Sequence, residues 1–268
     1  MFNPECYAKY AHYVSQLDEG VLKKARFQSP LTEDQQVLEV GCGPGHFTRQ
    51  FLLPYCQPCR RIVAADIDPG MVDFAKENFS HEAIVYDILD ITTPNLSPFL
   101  ERYGKFDRTN GQQYANIAKL LKDQGECLVL AFTRLDDADV WADVCSTPQW
   151  KGRIPDPRNL FNASFDFDRV KSATQVESEV RDTLRGTGLQ CISFEVDESS
   201  WTYDDMDTAV DMLITIIPFK ASVPAEEWTE FRNLVTEIMR RKLSTSSGQL
   251  PTVKLRFYVV HALKSTPQ

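Results

Sequence analysis

The sequence predicts an α/β fold: a doubly wound, mostly parallel sheet with helices on both faces. Three observations carry that expectation. Apolar runs of strand length alternate with helical periodicities through the first half of the chain, and repeated strand-helix-strand units specify parallel pairing. A glycine-rich turn, Gly41-Cys42-Gly43-Pro44-Gly45, stands between one such run and the helix after it. The chain then ends differently, as a strand, two helices and a last strand. At 268 residues a single domain buries about three-quarters of its unfolded surface and needs no covalent staples.

Each element follows from its pattern. Residues 4–27 read as a helix, because Tyr7, Tyr10, Ala11 and Val14 recur at intervals of three and four. Gln36 to Val40 is a buried strand ending at Gly41, and His46 to Leu53 is a short helix stopped by Pro54. Arg61 to Ala65 is a second strand, ending at Asp66. Pro69 occupies the first turn of a helix to about Asn78, where its missing N–H costs nothing. Ala83 to Tyr86 is a third strand, ending at Asp87. Gln112 to Lys122 reads as helical, and Gly125 introduces the strand Glu126 to Phe132. Pro148, Pro155 and Pro157 make 147–170 a surface connection, since each would break a helix. Lys171 to Thr187 is a helix ended by Gly188, and Gln190 to Val196 is a strand. Helices over 205–217 and 225–243 and a strand from Val253 to Leu263 close the chain. Trp228, Phe231, Leu234, Val235, Ile238 and Met239 form the core stripe of the last helix. The resulting plan is one domain over 1–268. It has an amino-terminal helix (1–27), a ligand-binding core (36–133), a connection and helical cap with the sixth strand (134–250), and the last strand (251–268).

Composition narrows the class. Lys plus Arg is 29 against 38 Asp plus Glu, a net charge of −9. Phosphate recognition needs clustered cations, so no nucleic-acid partner is expected. The longest apolar runs, Cys127 to Phe132 and Phe257 to Val260, are too short to span a bilayer. The opening MFNPECYAKY lacks the basic and apolar regions of a secretory signal. Seven irregularly spaced cysteines fit reduced thiols, and the expected compartment is the cytoplasm. Cys56-Gln57-Pro58-Cys59 reads as a loop: one such pair without a second is no zinc site, and it lies between helix and strand rather than opening a helix. No metal is expected, and oligomeric state is left open.

The chemistry concentrates at the glycine turn. Glycines there let the backbone turn tightly and approach a ligand near unpaired helix N–H groups. A dinucleotide fingerprint has its third glycine three positions after the second; here it comes after two. Glu39, two residues before Gly41, would repel a pyrophosphate and suits a cationic ligand. Asp66, ending the second strand 21 residues after Gly45, is placed to accept both hydroxyls of a ribose. Ile67 beside it is placed to cover a purine face, and Asp87 with Ile88 to meet an adenine amino edge one strand further out. A nicotinamide oxidoreductase remains an alternative, disfavoured by the glycine spacing and by the strand-helices-strand ending.

These motifs, Glu39 with the glycine turn, AADIDPGMVDFA (64–75) and VYDILD (85–90), resemble the class I S-adenosylmethionine-dependent methyltransferases. The segments LLKDQGECLVLAF (120–132), WKGRIPDP (150–157) and LRFYVVHALK (255–264) extend the resemblance to the juvenile hormone acid methyltransferases of arthropods, over nearly the whole chain. The resemblance implies a Rossmann-like sheet of seven strands, with the last antiparallel and inserted beside strand five. It implies S-adenosyl-L-methionine as cofactor, with Glu39, Gly41, Cys42 and Gly43 facing the methionine part. Asp66 and Ile67 would hold ribose and adenine, and Asp87 and Ile88 the adenine edge. Gln16 is the nearest counterpart of an acceptor-facing glutamine. The implied substrate is a small lipophilic carboxylic acid resembling juvenile hormone acid or farnesoic acid.

One segment departs from the family. Phe106-Asp107-Arg108 runs directly into Thr109-Asn110-Gly111-Gln112, and only 18 positions separate Asp107 from Gly125. A strand, a loop and a three-turn helix need about 25 to 30. Roughly ten residues are missing by that reckoning. The expectation is a shortened central strand over 105–109, its Arg and Thr too polar for burial on both faces, followed by the helix 112–122. Cofactor binding with weak or no catalysis is the alternative function that follows.

Overall fold

Backbone hydrogen bonds join seven strands into one sheet. In the computed structural model these are β1 (Gln36–Val40), β2 (Arg61–Asp66), β3 (Ile84–Ile88), β4 (Phe106–Asn110), β5 (Leu121–Leu135), β6 (Leu189–Thr202) and β7 (Thr252–Lys264). Their order is β3-β2-β1-β4-β5-β7-β6, so the last strand lies between the fifth and sixth as expected. The sheet is mostly parallel, with the last strands antiparallel. The structure describes residues 4–28, 30–110, 113–159, 161, 164–216, 222–243 and 250–266.

The helices are α1 (Pro4–Lys24), α2 (Leu53–Cys56), α3 (Pro69–Asn78), α4 (Ser97–Tyr103), α5 (Tyr114–Leu120), α6 (Asp136–Ser146), α7 (Ala173–Leu184), α8 (Met206–Ile216) and α9 (Trp228–Leu243). Two of them, α4 and α6, are absent from the sequence reading. Pro54 does not stop its helix. A π-helical turn, Thr48–Leu52, runs straight into α2, and Pro54 sits in the first turn of α2. There a proline's absent N–H costs little. The expected helix over 112–122 is shorter: Gln112 lies outside the described residues, and Leu121 and Lys122 already belong to β5. Residues 217 and 162 also lie outside them. Residues 225–227 form a 3-10 turn ahead of α9. In α9 itself Phe231, Val235, Ile238 and Met239 are buried, as the stripe predicts.

The chain forms two compact units. One comprises Ala11–Ala131, Ala173–Val196 and Tyr258–Gln268, and the other Met1–Tyr10, Phe132–Ser172 and Asp197–Phe257. In the first, one sheet face is covered by a core of Val37, Ile62, Ala64, Val72, Ala75 and Tyr86 with their neighbours. The opposite face carries Leu38, Val63, Ala65, Phe99, Phe106 and Leu120. This alternation along β1 and β2 is the period-two signature of strands buried on both faces. In the second unit, Trp150 is fully buried and meets Phe231 edge-on at 4.8 Å between ring centres. Arg153 and Glu227 there make a bidentate ion pair at 2.9 Å. Among the described residues, no helix is long and apolar enough to cross a membrane.

β4, expected to be shortened, has five residues, as many as β1 and β3; the shortening falls on the helix after it, which has seven. The burial of the strand's polar residues also corrects the expectation. Arg108 and Thr109 are 8% and 3% exposed. The strand holds them because its polar side chains bond to β1: Asp107 accepts the Gln36 N–H at 2.9 Å, and Asn110 Oδ1 accepts the Val40 N–H at 2.8 Å. Those two bonds stand one at each end of β1, flanking the register pairs Val37↔Arg108 and Leu38↔Thr109.

Candidate functional site

Parallel register brings the carboxyl ends of β1, β2 and β3 to one edge, with Val40 opposite Ala65 and Asp66 opposite Ile88. The glycine turn leaves β1 at that edge. Gly41, Gly43 and Gly45 all have positive φ, at 80°, 54° and 89°. These are conformations that side chains resist and glycine adopts freely. Their surroundings differ. A Cβ on Gly41 would meet nothing within 4 Å, whereas one on Gly45 would stand 2.8 Å from Ala75 Cβ and 2.9 Å from the Tyr86 hydroxyl. Gly45 therefore serves internal packing, and Gly41 leaves open space. The Gly41 and Cys42 amides both donate to the Ala65 carbonyl, at 2.7 and 3.0 Å. Cys42 itself is buried, and burial raises its thiol well above the ordinary range.

Asp66 anchors the turn. Its Oδ2 accepts the Gly43 N–H at 2.9 Å and its Oδ1 the Asp68 N–H at 3.0 Å. A carboxylate offers about four acceptor positions, so about two remain for the vicinal hydroxyls of a ribose. Ile67 and Ile88, at the ends of adjacent strands, are 60% and 49% exposed. Two large apolar side chains left in water beside a strand-edge carboxylate fit a flat ring. Asp87 is more committed: Oδ1 accepts the Ile88 N–H, while Oδ2 accepts Arg102 Nη1 at 2.5 Å and the Tyr103 hydroxyl at 2.7 Å. Burial raises its carboxyl, but Tyr103, the Ile88 amide and Arg102 together hold it below the ordinary value. About one acceptor position is left for an amino group.

Glu39 is buried beneath the turn and takes a hydrogen bond from Thr48 Oγ1 at 2.6 Å. Burial pushes its carboxyl up to about 8 despite Thr48, with Asp18 and Asp66 adding repulsion. Asp18, on α1, is likewise pushed up to about 7 by burial. The helix lies across the turn, with Ser15 Oγ 3.2 Å from His46 Nδ1. Both carboxyls line a cavity of about 260 Å³ together with Val21, Phe27, Gly41, Phe47 and Asn110. Arg108 lines it too. Gln16 lies outside this group, exposed on α1. The residues present fit S-adenosylmethionine: open acceptor positions on Asp66 for a diol, two isoleucines for a purine, and two enclosed acids for cationic groups.

Asp18, Arg108 and Asn110, which line the cavity, and Thr48, which bonds Glu39, are not among the site residues expected from the sequence. Thr48 alone has a readable signal, a hydroxyl on the helix that opens directly after the glycine turn. Cys56 is buried at the end of α2, where burial pushes its thiol up to about 12, and Cys59 is also raised by burial.

Residues 37–125, the stretch that builds this edge, match the family described as a methyltransferase domain. The juvenile hormone acid O-methyltransferase of Bombyx mori is 21% identical over 238 residues, 84% of this chain and 83% of the relative. That of Drosophila melanogaster is 23% identical over 211 residues, 74% of this chain and 68% of the relative. A malonyl-(acyl-carrier protein) O-methyltransferase of Acetivibrio thermocellus is 32% identical over 95 residues, 35% of this chain and 32% of its own length. Among solved structures, the (4+2)-cyclase SpnF aligns at TM-score 0.50 and 14% identity, covering 94% of this chain and 82% of that one. The last likeness is one of fold alone, which does not carry chemistry with it. The matched domain falls on β1, the glycine turn, Glu39, Asp66 and Asp87, and these likenesses support a class I S-adenosylmethionine-dependent methyltransferase with S-adenosylmethionine as cofactor.

Proposed function

We propose that this chain methylates the carboxylate of a small lipophilic acid. The observation that carries the proposal is the pair of juvenile hormone acid O-methyltransferases that align with most of the chain. The chemistry of the edge supports it. When bound, S-adenosylmethionine supplies an electrophilic methyl group on a sulfonium. Asp66 and the isoleucines 67 and 88 hold the nucleoside; Asp87 takes its amino edge. Glu39 and Asp18 face the cationic part, losing their protons as that charge replaces water. A carboxylate acceptor is already ionised near neutral pH, so no side chain has to remove a proton from it. Opposite charges on donor and acceptor cancel during transfer, and a dry, aligned site favours that cancellation. The protein's task is to orient the two partners and exclude water.

Binding with little or no turnover is the second reading, and the seven-residue α5 and the two register pairs that join β4 to β1 favour it. They place few residues where a larger strand-loop-helix segment would close the site. Kinetics separate the two. Ester formation from labelled S-adenosylmethionine is measured over a panel of medium- and long-chain acids. Turnover that rises with chain length is expected; tight cofactor binding with no ester from any acid would establish the second reading instead.

A further inference from the structure

Arg108 is the unusual residue of this sheet. It sits on a central strand, 8% exposed, with its guanidinium 4.0 Å from the centre of the Phe27 ring. Burying a guanidinium in a sheet core is costly unless its surroundings compensate it. Glu126, its register partner on β5, and the Phe27 ring supply that compensation. The side chain also borders the cavity beneath the glycine turn.

Among the described residues, the charged side chains lining that cavity are Asp18, Glu39 and Arg108, two acids and one cation. Their order is set by the sheet. Arg108 is the register partner of Val37, two residues before Glu39. At about 3.3 Å per residue that places its strand position roughly 7 Å deeper than the acid. Apolar walls from Val21, Leu22, Phe47 and Leu128 join the two ends. The methionyl part of S-adenosylmethionine carries the complementary set: two cations, the sulfonium and the ammonium, and one anion, the carboxylate, linked by methylenes.

We propose that Arg108 is the counter-ion of the cofactor carboxylate, so that the methionyl part lies in this cavity with its cations toward Asp18 and Glu39. The inference rests on the cofactor site proposed above. It gives the polar sequence of β4 a purpose: a strand residue that would ordinarily be apolar supplies positive charge to an otherwise acidic cavity. Arg108 is a positioning and specificity residue for the donor, and takes no part in moving the methyl group.

The test compares two ligands by calorimetry, S-adenosylmethionine and its decarboxylated form, which keeps both cations and lacks the anion. The wild-type chain is expected to prefer the carboxylated ligand by about tenfold to a hundredfold, the worth of one charge-assisted hydrogen bond. In Arg108→Gln the preference falls to within about twofold, because only the carboxylated ligand loses affinity. Equal weakening of both ligands, or of neither, would make Arg108 a structural residue and overturn the inference. Should Arg108→Gln fail to fold, Arg108→Lys reads the same ratio. Lysine keeps the charge without the fork geometry, so an intermediate preference supports the inference and an unchanged one overturns it. A changed KM for the acid with the ligand ratio intact would assign the cavity to the acceptor tail and also overturn it. A wild-type chain that binds neither nucleoside would fail the cofactor site itself, a result distinct from loss of discrimination alone.

Discussion

β2 and β4 flank the same strand and are built from opposite kinds of residue. In β2, Ile62, Val63, Ala64 and Ala65 are completely buried, and the strand matches β1 over five consecutive register pairs. In β4 only Phe106 is apolar, and its register with β1 runs through Val37↔Arg108 and Leu38↔Thr109. β2 is held by a backbone ladder and by apolar area on both faces. β4 is held at both ends by side chains that reach β1 amides, Asp107 to Gln36 and Asn110 to Val40. A polar strand thus survives in a sheet centre when its side chains replace the backbone partners it lacks. Leaving a buried amide unpaired would cost more than burying the amide side chain that pairs it.

The largest expected effect lies on the β2 side. Gly45→Ala puts a methyl group into Ala75 and Tyr86 at a positive φ, and should destabilise the fold by about 2–4 kcal/mol. Gly41→Ala shares only the backbone strain, about 1–2 kcal/mol. Denaturant melts of the two variants give the comparison, and equal losses would refute the packing role of Gly45.

Next in size is Asp66→Ala. Loss of charge-assisted bonds to the ribose should cost about 1.5–3 kcal/mol of cofactor binding, roughly tenfold to over a hundredfold in affinity. Titration calorimetry checks it, and an unchanged dissociation constant would place the nucleoside elsewhere.

On the β4 side, Asn110→Ala strands the Val40 N–H. A stability loss of about 1–2 kcal/mol is expected, with amide exchange at Val40 accelerated. Exchange as slow as in the wild type would show that the side chain is not the partner that matters.

The smallest effect is a pH dependence. Glu39 must ionise to meet a cation, and burial holds its carboxyl at about 8 in the free protein. The cation-bound form favours the ionised acid, so affinity should rise as pH goes from about 6.5 to about 8.5, by no more than about tenfold per unit. Above the free value it should level off. The same shift works against stability. The folded state keeps a proton that the unfolded chain gives up at ordinary carboxylate values. Stability without ligand therefore falls as pH rises through the window between those values and about 8. Glu39→Gln removes both slopes if Glu39 is their source; Asp18, raised to about 7, is the group to test if they persist.

Much of this is legible in the residues. Apolar runs at 36–40 and 61–66 are strands because nothing else buries such segments on two sides, and the glycines between a strand and a helix mark the ligand edge for steric reasons. Pro69 and Asp68 announce α3 by their capping chemistry, and the Asp68 carboxylate does accept the Gly70 N–H at 2.8 Å. These are local signals, each resting on a few neighbouring residues and a fixed periodicity.

Other features are decided only by tertiary structure. Nothing local distinguishes Gly41, which faces open space, from Gly45, which is pressed against Ala75 and Tyr86; that depends on where α3 and β3 come to lie. Pro54 stands inside a continuous helical stretch because a π turn precedes it. Asp18 and Glu39 are 21 positions apart in sequence, and they share a cavity only because α1 lies across the turn that Glu39 supports. The polarity of Arg108, Thr109 and Asn110 argues against burial when each residue is weighed alone. Folding reverses that expectation, since the cost of burying a polar side chain depends on its partner. The partners, the Val40 amide and the Phe27 ring, come from distant parts of the chain. Periodicity and steric freedom are properties of a short segment and can be read from it; burial, pairing and charge complementarity belong to pairs of segments, and exist only once the fold has brought them together.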